Sequence, residues 1–222
     1  MTGKTVTLTT ADGAEIGAYR ADPAGKPRGG LVVIQEAFGV NAYVRSVVER
    51  YAAEGYRAIA PMIYDRQERG VELGYEGSDL DRARKLRRGL DWDQVTADVK
   101  AAIDAVAASG KVGIIGYCVG GSVAWIAAQR LPVAAAISYY GRDIVDWLEP
   151  KPACPVMLHY AETDHHIPLS NVETVRAAYP DLPIYVYPGE HGFDCDLRAS
   201  FHPVSADLAR RRSSAFLAQY VG

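Results

Sequence analysis

The sequence predicts an α/β fold built on a mostly parallel central sheet with helices on both faces. Continuous apolar runs such as Leu31-Val32-Val33-Ile34 read as strands buried on both sides. They alternate with segments of helical apolar period, the order that a sheet with helical crossovers requires. The 222 residues are 49% hydrophobic and 23% charged, which supplies a substantial core for one domain, 1–222, with no disordered or repeated part.

Thr5 to Thr10 and Glu15 to Arg20 alternate like strands around Asp12-Gly13, a hairpin signal, and a Pro- and Gly-rich loop runs from Asp22 to Gly30. After the strand Leu31 to Ile34, Asn41 caps a helix with apolar positions Val44, Val47, Val48 and Tyr51, which Gly55 ends. Tyr56 to Ala60 is a strand closed by Pro61. The stretch 62–78 is polar, glycine-containing and irregular, suited to a loop over a site. Helix Asp93 to Ser109, strand Val112 to Ile115, helix Ser122 to Arg130 and strand Val133 to Tyr139 continue the alternation. Strands Val156 to Tyr160 and Ile184 to Tyr187 enclose a helix around Asn171 to Tyr179, and a helix from Val204 to Tyr220 closes the chain.

Ile114-Ile115-Gly116-Tyr117-Cys118-Val119-Gly120-Gly121 reads as a strand, a sharp turn with Cys118 at its apex, and a helix start. That is the G-x-S-x-G nucleophile elbow with a thiol in place of the hydroxyl, Gly116 and Gly120 giving the strained turn room. A nucleophile needs a base and an acid to orient that base, and the elbow fold supplies them in the order nucleophile, acid, histidine. Asp164 follows the strand Val156 to Tyr160, and His191, in Gly189-Glu190-His191-Gly192-Phe193, follows the next strand. Both stand at carboxyl ends of strands, the edge where open α/β sheets place ligands. The bland alternatives are a packed cysteine, a turn carboxylate and a solvated turn histidine, and the shared order and location of the three weigh against them.

The net charge of −3, with Lys and Arg scattered, argues against nucleic acid as a partner. No stretch reaches membrane-spanning length and the first residues lack an apolar signal core, so the expectation is a cytoplasmic protein with no membrane partner. Cys118, Cys154 and Cys195 are too few and too irregularly spaced for a disulfide framework or a metal ribbon. Neither cofactor nor metal is expected. A small molecule is the expected partner of a monomer or weak homo-oligomer.

Gln35-Glu36-Ala37-Phe38-Gly39-Val40-Asn41, Gly116-Tyr117-Cys118-Val119-Gly120-Gly121, Tyr139-Tyr140-Gly141, Asp164 in its loop and His191-Gly192-Phe193 together resemble the dienelactone hydrolases, the carboxymethylenebutenolidase family of α/β-hydrolases, nearly end to end. The resemblance implies Cys118 as nucleophile, His191 as base, Asp164 as orienting acid and Glu36 beside the thiol. It implies an oxyanion hole from the N–H groups of Ala37 and Val119, which suits a residue after a central strand and one at a helix N-terminus. It further implies that Glu36 keeps the resting thiol neutral and takes its proton when substrate binds. Such enzymes cleave a lactone or activated enol ester through a thioester on the cysteine. The family's carboxylate-binding arginine, expected four residues beyond the histidine, is Cys195 here. Arg198, Arg82, Tyr140 and Cys195 are the candidates for binding substrate.

Other readings are a carboxylesterase or thioesterase using the same triad, a silent α/β-hydrolase that binds a small ligand, and a metal protein using His159, Asp164, His165 and His166 or His191, Asp194 and Cys195. The intact triad disfavours the second, and the lack of a recognised ligand spacing disfavours the third.

Overall fold

A computed structural model describes residues 3–222. One eight-stranded sheet runs in the order β1-β2-β4-β3-β5-β6-β7-β8. The strands are β1 (Lys4–Thr9), β2 (Glu15–Ala21), β3 (Gly30–Ile34), β4 (Arg57–Pro61), β5 (Val112–Tyr117), β6 (Ala135–Tyr139), β7 (Val156–Ala161) and β8 (Ile184–Tyr187). The hairpin β1–β2 and the junction of β2 with β4 are antiparallel, and all other neighbours pair in parallel. Every residue of β3, β5, β6 and β7 is buried, as the unbroken apolar runs require of strands covered on both faces.

Among the described residues six α-helices accompany them: α1 (Ala42–Ala53), α2 (Ser78–Arg88), α3 (Trp92–Val106), α4 (Val119–Arg130), α5 (Leu169–Ala178) and α6 (Pro203–Tyr220). Asn41 caps α1 by accepting from the Val44 N–H at 3.3 Å, while its amide donates to Leu73 O and Tyr75 Oη, tying the long irregular segment to the helix start. Asp91 caps α3, and Pro203 opens α6 where a missing N–H costs nothing. The sequence reading passed over α2. Seven of its eleven residues are charged and its N-cap, Gly77, offers no side-chain acceptor, so neither of the usual signals marks it.

Because β3, β5, β6, β7 and β8 are parallel and adjacent, their carboxyl ends form one edge of the sheet. Glu36, Cys118, Tyr140, Asp164 and His191 follow those five ends in spatial order. Residues separated by up to 155 positions in the chain therefore meet along one row, at the position that ligands favour in α/β sheets.

Candidate functional site

Cys118 sits between β5 and α4 with φ 56° and ψ −118°, a backbone conformation rarely adopted by a residue with a side chain. The turn is closed by close backbone approaches. A Cβ at Gly116 would lie 1.8 Å from the Gly120 carbonyl oxygen, and one at Gly120 would lie 2.5 Å from the carbonyl oxygens of Ile34 and Gln35. Glycine is thus required at both positions by space. The Cys118 N–H donates to Tyr139 O at 3.0 Å, which pins the apex against β6.

His191 is buried and its Nδ1 lies 2.7 Å from Asp164 Oδ2. The other oxygen, Oδ1, accepts from the N–H groups of His166 at 2.7 Å and Ile167 at 3.1 Å, so the carboxylate is fixed by its own loop. Burial alone would disfavour a charged His191, but its interactions with Cys118 and Asp164 outweigh it and raise the imidazole to about 10. The ring packs 4.9 Å from that of Tyr140, itself buried at φ 41°, and 5.0 Å from that of His166.

The loop carrying His191 is anchored from beneath by Asp194. This fully buried carboxylate accepts from Tyr43 Oη at 2.8 Å and Arg210 Nε at 2.8 Å, with Arg50 at 3.9 Å, so α1 and α6 hold the loop together. Arg210 also donates to the Asp194 carbonyl.

Glu36 is buried, with Oε1 accepting from Arg198 Nη1 at 3.3 Å and Oε2 lacking any partner among the described residues. Burial raises its carboxyl above the usual range, opposed by the charges of Arg198 and His191. No hydrogen bond joins Glu36 to Cys118; its partner is Arg198. The Arg198 guanidinium lies 5.7 Å from the ring centroids of both Phe38 and Tyr75, which stack it in place. The Ala37 and Val119 N–H groups have no acceptor among the described residues, Val119 being the first residue of α4.

A cleft of about 320 Å³ opens over these groups, bordered by Cys118, His191, Ala37, Val119 and Arg198. Four expectations change here. Arg82 does not border the cleft: its side chain is about half exposed and paired with Glu68, while Leu80, Ala83, Arg84, Arg87 and Arg88 of the same helix border it. Cys195 is wholly buried behind the wall, its Sγ 3.3 Å from Tyr75 Oη and its thiol pushed up to about 12 by burial. The irregular segment 62–77 does not line the cleft; α2 supplies that wall. Tyr140 likewise packs against His191 without reaching the opening.

Of the candidate metal ligands, His159 is engaged elsewhere. His159 is fully buried with Nδ1 2.8 Å from Tyr187 Oη and Nε2 3.1 Å from Ser213 Oγ, so both ring nitrogens are engaged. Among the described residues no three His, Cys, Asp or Glu side chains are grouped as metal ligands.

The profile of the dienelactone hydrolase family matches residues 16–221. The chain belongs to that family. It is 31% identical to the carboxymethylenebutenolidase of Pseudomonas putida over 96% of this chain and 95% of that one. The crystal structure of a "Putative Dienelactone Hydrolase" from Klebsiella pneumoniae superposes with a TM-score of 0.84 at 30% identity, covering 98% of this chain and 99% of the other. An esterase of Pyrococcus furiosus, 16% identical, shares the fold with a TM-score of 0.72 over 99% of this chain and 93% of its own. This dienelactone hydrolase family member is thus a hydrolase of the α/β-hydrolase fold and of the class that cleaves esters and lactones. None of its described helices is long and apolar enough to cross a membrane.

Proposed function

We propose that the protein hydrolyses a small lactone or activated enol ester bearing a carboxylate, through a thioester on Cys118. The observation that carries this is the thiol at the apex of a strained elbow beside a His191 already oriented by Asp164. Arg198 borders the cleft and neutralises Glu36, so a substrate carboxylate competes with Glu36 for the same guanidinium. Once Arg198 turns to substrate, the buried Glu36 loses its counter-ion and accepts the Cys118 proton. The sulfur adds to the scissile carbonyl, and the free N–H groups of Ala37 and Val119 receive the oxyanion. Protonated His191 donates to the departing oxygen, the C–O bond breaks, and the thioester remains. Neutral His191 then takes a proton from water, whose oxygen displaces the sulfur, and the thiolate recovers its proton from Glu36. All three cysteines are free, which suits chemistry by a thiol in the reducing cytoplasm.

The test is acylation of the protein by an enol ester, followed by intact mass and peptide mapping. A stoichiometric adduct on Cys118 is expected, and Cys118→Ala should be folded and inactive. Cys154→Ala and Cys195→Ala should retain most turnover, because neither thiol borders the cleft. Equal loss in Cys154→Ala and Cys118→Ala would overturn the assignment.

A further inference from the structure

The cleft is more cationic than one carboxylate requires. Five arginines border it, Arg84, Arg87, Arg88, Arg142 and Arg198, and no acid does. Three of them lie on α2, where Leu80, Ala83, Arg84, Arg87 and Arg88 form the i, i+3, i+4, i+7, i+8 stripe that a surface helix ordinarily fills with apolar residues and turns to the core. Here more than half of that stripe is guanidinium and it faces a cavity.

These cations are not equivalent. Arg87 is committed to Asp143, bonding both carboxylate oxygens at 2.6 and 2.7 Å, and Ser122 donates to the same carboxylate. Arg84 pairs with Asp81 across an exposed turn of its own helix. Arg198 holds Glu36. Arg88 and Arg142 have no carboxylate partner among the described residues, and they border the same opening from α2 and from the turn after β6. Arg142 and Arg198 share the lining of the cleft with His166. Cys118 borders the same cleft as both groups.

We infer that the substrate carries two anionic groups, the first meeting Arg198 and the second held by Arg88 and Arg142. The inference rests on the cysteine hydrolase reading and narrows its substrate class. Guanidinium forks grip carboxylate and phosphate oxygens alike, so the second group is a carboxylate or a phosphate ester. Arg87 then serves as the rigid floor of that subsite, immobilised by Asp143.

A matrix of four esters tests this: acetyl or glutaryl as the acyl part, 4-nitrophenol or 4-hydroxy-3-nitrobenzoate as the alcohol part. Each added charge should raise kcat/KM about tenfold or more, as charge-assisted hydrogen bonds do, and the doubly charged ester should be the best substrate. In Arg88→Glu/Arg142→Glu, the ratio of the doubly to the better singly charged ester should fall to about one. Arg88→Gln/Arg142→Gln should lower the same ratio less, and this pair keeps the test open if the charge reversal unfolds. Salt should depress the doubly charged ester most. An unaltered ratio in both double variants, or a doubly charged ester worse than the singly charged ones in wild type, overturns the inference. Comparing 4-acetoxybenzoate with 4-acetoxyphenyl phosphate identifies the preferred anion, and no advantage of either over phenyl acetate also overturns it. Calorimetric binding of glutarate against butyrate reads the second anion without turnover. Failure of the cysteine mechanism shows separately, as turnover of the neutral ester by Cys118→Ala.

Discussion

Replacing His159 by Gln should make the protein less sensitive to acid. His159 is fully buried between β6, β8 and α6, with both ring nitrogens engaged by Tyr187 and Ser213, and Ser213 Oγ also lies 2.8 Å from Tyr139 Oη. Burial, reinforced by the charge of Arg212, lowers the imidazole from 6.5 to about 3. The unfolded chain accepts a proton on this ring as pH falls below about 6.5, whereas the folded protein does so only near 3, so the unfolded state binds more protons in between. Stability must therefore fall with pH through that window. Each pH unit is worth about 1.4 kcal/mol, so at about pH 5 this single ring removes about 2 kcal/mol relative to neutral pH.

His159→Gln loses hydrogen bonds and is less stable near pH 7, where the native ring contributes fully. Its disadvantage should shrink by about 2 kcal/mol between about pH 7 and about pH 5, because carboxylates titrate in both proteins and cancel in the comparison. Urea unfolding of both proteins across that range, analysed with a common slope, measures the difference. Parallel loss of stability in the two would refute the reasoning and mean that His159 takes up its proton in the folded state as readily as in the unfolded one.

His191→Ala and Asp164→Asn should each reduce turnover by ~10²–10⁴, and the double variant should lose little more than the worse single one, as steady-state kinetics on one ester will show. Gly116→Ala places a Cβ 1.8 Å from a carbonyl oxygen and should cost more than about 3 kcal/mol in thermal or denaturant unfolding. Glu36→Gln should slow acylation strongly in stopped flow and leave hydrolysis of a preformed acyl-enzyme close to wild type; wild-type acylation would reduce Glu36 to a structural residue.

The elbow was legible because its chemistry is local: two glycines, a thiol and the following helix occupy consecutive positions, and sterics dictate each of them. The acid and base could be found because parallel strands put their successors at one edge, so chain order translates into spatial order. The cleft wall did not translate in the same way. Arg84, Arg87, Arg88 and Arg142 come from two segments, and the first lies in a helix whose charge hides its period. One signal was available. At 100° per residue, position 82 falls off the stripe shared by Leu80, Ala83, Arg84 and Arg87, so drawing α2 as a helix would have excluded Arg82.

The exchange of an arginine for Cys195 also has a geometric resolution. From Glu190 to Phe201 the chain winds through successive tight turns: Phe193 N–H donates to Glu190 O, Cys195 to Gly192 O, Arg198 to Cys195 O and Phe201 to Arg198 O. Position 198 lies one tight turn farther along the chain than position 195, and the long side chain from there borders the cleft and reaches Glu36. Gly192 makes room for that path, since a Cβ on it would lie 2.3 Å from Arg198 Nη1. Spacing along the chain locates a functional group only when the intervening backbone is extended or helical, and in a loop of repeated turns the same corner of the cleft can be served from one turn farther on.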